Sequence, residues 1–190
     1  MKNILVLADY YLPGYKAGGP IRTISNMVDW LGDEYAFYIL TRDRDLGDDK
    51  PYPRVPRGEW VQVGGARVRY LAPDELGWFK WARLLNSMNY DLLYMNSFFS
   101  TLSVYTLTAR KLGRLPDKPI LLAPRGEFYP GALALKPLKK RAYMNLTRQF
   151  NLLEGVDWQA SNTEEADTIR EAMPDEGGQI YTAQNLNRRT

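Results

Sequence analysis

A glycine-rich segment near the start of the chain carries residue types that bind anions. It follows the first apolar run and reads DYYLPGYKAGGPIRT. Gly18 and Gly19 let the backbone approach a ligand closely, and the proline after them fits the first turn of a helix. The free N–H groups and the dipole at a helix N-terminus favour phosphate. The segment therefore predicts a phosphate contact at Gly18 and Gly19, to which Arg22 would add a charged fork.

Two familiar phosphate-binding motifs do not fit this segment. Gly14 and Gly19 have the spacing of a P-loop, but Pro20 and Ile21 stand where that motif needs Lys and Ser or Thr. The G-x-G-x-x-G fingerprint of dinucleotide-binding proteins is absent. A flexible helix start without a ligand remains the alternative interpretation.

Polar side chains follow several later apolar runs. Arg42, Asn96, Arg125 and Glu127 each stand at or just after the end of such a run. Because ligands of open α/β sheets bind beyond the carboxyl ends of the strands, these side chains are predicted to share one cleft with the glycine segment. The alternatives are structural: Arg42 can pair with Asp43 on the surface, and Arg125 can cap a carbonyl group.

A segment without acidic residues spans positions 128–153. Its basic residues are Lys136, Lys139, Lys140, Arg141 and Arg148. A solvated helix face is one interpretation of this pattern. The other is a patch for anionic lipid head groups or for a lipid-linked pyrophosphate acceptor, as on peripheral membrane enzymes.

The elements that must position these residues alternate between strand and helix patterns. Strands are predicted at residues 4–8, 35–43, 60–71 (a hairpin around Gly64 and Gly65), 90–97, 118–127, 156–162 and 178–185. Helices are predicted from Ile21 to Leu31 and at 76–88, 99–113, 131–155 (with a kink at Pro137) and 163–173 (capped by Ser161 or Thr163). The alternation predicts an α/β fold, a Rossmann-like three-layer domain with a mostly parallel sheet. No change in composition divides residues 1–190 into two domains.

Composition narrows the chemistry. The 190 residues include neither Cys nor His, which excludes disulfides and thiolate catalysis and removes the commonest general base and metal ligand. No metal site is therefore expected. The net charge of +3 does not call for nucleic acid as a partner. The lack of Cys and of a visible targeting segment fits a cytoplasmic location.

Three segments together resemble a known family. They are YLPGYKAGGPIRTISNMV, LLAPRGEFYPGALALKPLKKRAYM and SNTEEADTI, and they span nearly the whole chain in order. They are similar to the N-terminal domain of the family-four retaining glycosyltransferases, which have the GT-B architecture of two Rossmann-like domains facing a cleft. The resemblance implies a sugar transferred from a nucleotide-sugar donor, with retained anomeric configuration and no cofactor.

The resemblance also implies a division of labour. The N-terminal domain takes the acceptor, and the C-terminal domain, which holds the nucleotide sugar, is expected to be absent from this chain. We therefore expect an acceptor-binding half that is inactive alone and meets a glycan or lipid-linked acceptor, with peripheral contact at the inner face of a membrane. By the resemblance, Gly18 and Gly19 approach the donor diphosphate, Lys16 and Arg22 reach acceptor or phosphate, Arg125 and Glu127 lie at the cleft, and Asn96 stands where many members have His.

Two other functions remain open from the residues alone. A nicotinamide-dependent sugar-modifying oxidoreductase would use the same fold, but its nucleotide fingerprint is missing. A non-catalytic module would use the same cleft only to hold a glycan.

Overall fold

The apolar runs form strands and the amphipathic stretches form helices, as the alternation predicts. The computed structural model describes residues 1–189. The strands are β1 (Lys2–Leu7), β2 (Tyr35–Arg42), β3 (Trp60–Val63), β4 (Ala66–Leu71), β5 (Leu92–Asn96), β6 (Ile120–Ala123), β7 (Val156–Ala160) and β8 (Ile180–Thr182). The helices are α1 (Gly19–Leu31), α2 (Trp78–Asn86), α3 (Thr101–Lys111), α4 (Pro130–Leu133), α5 (Pro137–Gln149) and α6 (Thr163–Ala172), with a short 3-10 helix at Pro73–Glu75.

The strands form one sheet in the order β3-β4-β2-β1-β5-β6-β7-β8. Every neighbouring pair is parallel except the hairpin β3–β4. Ile4, Leu5 and Val6 of the central strand β1 are buried, as expected of a strand covered on both faces. The α/β fold class is thus confirmed, and the carboxyl ends of the parallel strands meet at one edge.

Apolar side chains pack on both faces of the sheet. On one face, Ile24 and Val28 of α1 pack over the first strands. On the other, α2, α3, α5 and α6 bury residues such as Trp81, Leu107 and Ile169. Among residues 1–189, α1 is the one helix whose buried side chains belong to the cluster of Ile24 and Val28, and residues 183–189 lie against the same helix.

Residues 183–189, here called the C-terminal strap, lie across the α1 face. The Nδ2 of Asn26 donates to the Leu186 carbonyl over 2.7 Å, and the indole N–H of Trp30 donates to the Asn187 carbonyl over 2.8 Å. The Arg189 guanidinium lies 5.6 Å from the centre of the Trp30 ring. The strap therefore joins the last strand to the first helix.

Two predicted helix boundaries were wrong. The predicted helix 131–155 is divided into α4 and α5, because Lys136 has a left-handed backbone (φ 56°) and Pro137 begins α5 instead of continuing α4. The cap of α6 is Asn162, whose side-chain oxygen accepts from the Glu165 N–H over 2.7 Å, rather than Ser161 or Thr163. Within residues 1–189, no helix has the length and apolar character needed to cross a bilayer.

Candidate functional site

A cavity of about 170 Å³ opens at the carboxyl edge of the sheet, and although most of its wall is apolar, it is called the polar cavity below for the charged and amide side chains that border it. On one side it is lined by Ala17 and Pro20, where α1 begins. On the opposite side it is lined by Asn96, which ends β5, and by Arg125 and Glu127, which follow β6. The structure therefore brings together three of the residues selected from the sequence, at the edge where ligands of such sheets bind.

Arg125 occupies the centre of the polar wall. Its backbone is left-handed (φ 56°), which turns the side chain back over the strand ends. Its Nε and Nη2 donate to Asn96 Oδ1 over 3.0 and 2.8 Å, Nη2 also donates to the Tyr94 hydroxyl over 2.5 Å, and Nη1 donates to Asn185 Oδ1 over 2.9 Å. Within residues 1–189 its hydrogen-bond partners are neutral and no carboxylate forms an ion pair with it. The guanidinium is thus held rigidly, with its charge left for a ligand.

The Asn96 side chain binds the Arg125 guanidinium and does not point freely into the cavity. Its carbonyl oxygen accepts both Arg125 hydrogen bonds, and its amide N–H donates to the Leu7 carbonyl over 3.4 Å. The side chain is also buried. Asn96 is therefore a positioning residue for Arg125, and its amide joins β5 to β1.

Glu127 connects two loops of the site. Its carboxylate accepts from the Ser97 hydroxyl over 2.6 Å and from the N–H groups of Phe98 and Phe99 over 2.6 and 3.2 Å. Burial raises the pKa of the Glu127 carboxyl, and these hydrogen bonds oppose the rise. The carboxylate thus fixes the loop before α3 and also borders the cavity.

We expect Glu127→Gln to change the pH dependence of stability. Because the pKa of Glu127 is raised in the folded state, folding binds a proton there, and the free energy of unfolding that Glu127 contributes falls as pH rises through the window between the ordinary and the raised value. The single oxygen of a glutamine can still accept from the N–H groups of Phe98 and Phe99, and its NH2 can donate to the Ser97 hydroxyl, without the charge. In urea unfolding between about pH 4 and pH 8, the free energy of unfolding of the variant should increase relative to that of the wild type as pH rises. A wild type that gains on the variant instead would contradict the assignment.

Arg42 pairs with a residue that the sequence interpretation did not select. Its Nε donates to Asp9 Oδ1 over 3.1 Å, and Asp9 lines the cavity. Asp43 is buried and pairs with Arg44 and Arg57 instead. The surface pair of Arg42 with Asp43 was thus wrong, and Arg42 supports the cavity through Asp9.

The glycine segment lies next to the cavity, which its neighbours Ala17 and Pro20 line and Gly18 and Gly19 do not. Gly18 has φ 67° and ψ −118°, a conformation that glycine adopts without strain, whereas Gly19 has an ordinary φ. No heavy atom outside the adjacent backbone lies within 4 Å of a Cβ built at either residue. No side chain caps the N-terminus of α1, and its first turn has no acidic residue. Its N–H groups are thus open to an anion.

Substitutions at the two glycines distinguish backbone strain from steric crowding, because both positions have room for a Cβ but only Gly18 has a positive φ. We expect Gly18→Ala to lower the free energy of unfolding by about 1–3 kcal/mol, because alanine is strained at that backbone conformation. Gly19→Ala places its methyl in open space and should change stability by less than about 0.5 kcal/mol. Urea denaturation of the two variants tests this difference. Equal losses would contradict the conformational role of Gly18.

Lys16 and Arg22 lie outside the cavity. The Lys16 amine pairs with Asp48 over 2.5 Å, and the hydrogen bond to Asp48 raises the pKa of Lys16. Arg22 is exposed on α1 next to the buried Ile21. Neither side chain lines the polar cavity that Arg125 borders.

The residue that sequence reasoning missed most clearly is Glu165. This buried carboxylate accepts from the Gly126 N–H over 2.6 Å and from both the N–H and the hydroxyl of Ser161, over 2.7 and 2.6 Å. It therefore anchors the Arg125 loop to the end of β7. The Thr-Glu-Glu sequence at the start of α6 is the signal from which this residue could be found.

The five basic residues of positions 128–153 separate into two groups, and Arg148, which donates to the Ala172 carbonyl, belongs to the group that turns towards the protein. Lys136, Lys139 and Arg141 are exposed. The Lys140 amine turns inward, donates to the Ala132 carbonyl over 2.8 Å and lies 4.6 Å from the centre of the Phe99 ring. Lys140 is therefore part of the packing of α5, and the outer surface has the other three cations.

No protein-family model matches the chain, and no curated protein matches it significantly. What the chain does is therefore inferred from the geometry of the site and from the three resembling segments.

Proposed function

We propose that this chain is the acceptor-binding half of a retaining glycosyltransferase, which moves a sugar from a nucleotide-sugar donor to a glycan or lipid-linked acceptor. The observation that carries the proposal is the polar cavity between the uncapped start of α1 and the unneutralised guanidinium of Arg125. Both features are positive and lie beside the same cavity, which Ala17 and Pro20 border at the start of α1, and a phosphate or diphosphate is a group that both can bind.

The other polar groups of the cavity suit a sugar. The carboxylates of Asp9 and Glu127 border it and can accept hydrogen bonds from hydroxyl groups. Their lone pairs are partly used by Arg42 and by the loop before α3, which fixes their orientation. Acidic and basic groups side by side favour a phosphorylated polyol over a simple anion.

The size of the cavity supports a shared site. A volume of about 170 Å³ is below the range of roughly 300–1,000 Å³ that is usual for a ligand of drug size. A sugar or a diphosphate would fit, but a nucleotide sugar would extend beyond it. In the proposal, a second Rossmann-like domain holds the nucleotide and completes the cleft, and the chain alone does not transfer sugar because positioning of the donor is lost.

The proposal also covers the cofactor requirement and the cellular location. It requires no cofactor and no metal, since the departing phosphate of a front-face retaining reaction serves as the base. It also includes a cytoplasmic location, because a chain without Cys gains no disulfide from an oxidising compartment.

Ligand-observed NMR on the 190-residue chain tests the assignment. The probes are a short-chain polyprenyl-diphosphate sugar, inorganic pyrophosphate, UDP-, GDP- and ADP-glucose, and NADH. We expect signals from the first two probes and weak or undetectable binding of the nucleotide sugars. Micromolar affinity for a nucleotide sugar would place the donor site within this chain and overturn the assignment. Tight binding of NADH would favour the oxidoreductase.

A further inference from the structure

Helix α5 presents a stripe of apolar side chains to solvent. Leu138, Ala142, Leu146 and Phe150 are spaced four residues apart, so they follow one another along one side of the helix and its end. Leu138 is 81% exposed, Leu146 48% and Phe150 54%. These four residues are called the outer stripe below. Large apolar side chains at successive turns rarely face water without a partner.

The packing of α5 fixes this orientation. Met144 and Thr147 are the buried residues of the helix. Lys140 and Arg148 also turn towards the protein, since the first donates to the Ala132 carbonyl and the second to the Ala172 carbonyl. The outer stripe therefore lies away from the packed side, and rotating the helix to bury it would break both contacts.

The cations beside the stripe indicate what covers it. Lys136, Lys139 and Arg141 are exposed, and none of them forms an ion pair within residues 1–189. No acidic residue occurs in positions 128–153. A helix with a leucine-bearing side and adjacent lysine and arginine is complementary to an anionic bilayer surface, where the cations meet phosphates and the apolar side chains enter the head-group boundary.

We propose that α5 docks on an anionic lipid bilayer, lying parallel to its surface with the outer stripe inserted. This surface is distinct from the polar cavity, and the inference does not depend on the transferase assignment. It has a consequence for that assignment, since only α4 and the adjoining turns separate Arg125 from α5. A lipid-linked acceptor held at the same bilayer would then meet the cleft without leaving the membrane.

Vesicle co-sedimentation of the 190-residue chain tests the proposal. The probes are vesicles of phosphatidylcholine with and without one-third phosphatidylglycerol. We expect binding to the anionic vesicles only. Each basic residue near such a surface contributes roughly fivefold to the partition coefficient, so Lys136→Gln/Lys139→Gln/Arg141→Gln should lower it roughly a hundredfold. The control Lys50→Gln/Arg67→Gln/Arg114→Gln makes the same change in net charge at exposed residues elsewhere. It should lower the partition coefficient by no more than about tenfold.

The stripe is tested separately from the charge. Leu138→Ser/Leu146→Ser should abolish most of the binding. The control Phe79→Ser/Leu112→Ser changes side chains that are 83% and 60% exposed, on α2 and just after α3, and should leave the binding within about twofold. Circular dichroism confirms that each variant is folded. Absent binding to anionic vesicles, or equal losses in stripe and control variants, would overturn the proposal. So would a concentration-dependent dimer, seen by light scattering, that the stripe substitutions abolish.

Discussion

Glu165→Ala is expected to lower the free energy of unfolding by about 3 kcal/mol. The substitution removes the acceptor of the Gly126 and Ser161 N–H groups, which belong to half-buried residues, and hydrogen bonds to a charged group contribute about 1.5–3 kcal/mol. The Ser161 hydroxyl also loses its acceptor. Because one carboxylate holds the Arg125 loop and the end of β7 together, we expect the loss in global unfolding as well as in the loop itself.

Chemical denaturation measures this effect, and Glu164→Ala is the matched control. Glu164 is the preceding residue of α6 and is exposed, so its removal should change stability by less than about 0.5 kcal/mol. Glu164 and Glu165 are the same residue type in the same helix, but only Glu165 is buried and accepts hydrogen bonds from the Arg125 loop. A similar result for both variants would show that Glu165 does not anchor the loop.

Arg125→Ala is expected to weaken the binding of the diphosphate-sugar probe by about tenfold to a hundredfold. Hydrogen bonds to charged groups contribute about 1.5–3 kcal/mol, and within residues 1–189 Arg125 is the cation that lines the polar cavity. Arg125→Lys keeps the charge but loses the planar fork that Asn96 orients, so it should recover only part of the affinity. Isothermal titration calorimetry gives the three affinities.

Two controls make this result specific. Arg67→Ala removes an exposed cation of β4 outside the cavity and should leave the affinity within about twofold. The thermal transition of Arg125→Ala should remain cooperative, because the side chain lies at the edge of the core. An unchanged affinity for the probe in the Arg125→Ala variant would remove Arg125 from the binding site.

The fold was predictable because the burial of strands and helices produces a regular spacing of apolar residues in the sequence. The continuous apolar run of β1 and the helical spacing of Ile21, Ile24 and Val28 each require a particular element, and the alternation requires a parallel sheet. Where chemistry depended on that topology, the prediction was useful. Asn96 and Arg125 follow adjacent strands, so their proximity was expected from the sheet alone.

The rest of the site is formed by loops, whose residues show no regular spacing that would predict their conformation. Lys16 was placed with the phosphate contact, but Asp48, in the long loop after β2, binds its amine. Arg125 receives a hydrogen-bond partner 60 residues later, at Asn185. Such pairings follow from loop conformations that local patterns do not specify.

The C-terminal strap has a consequence for the order in which the molecule is built. Its contacts with α1 join residues up to 160 positions apart. Since a chain is synthesised from its N-terminus, α1 leaves the ribosome well before the strap, and contacts of such long range are slow to form. The α1 face therefore waits for residues 183–189, and Arg125 acquires its hydrogen bond to Asn185 only then. Closure of this face is thus a late folding event, whereas the central strands can pair earlier.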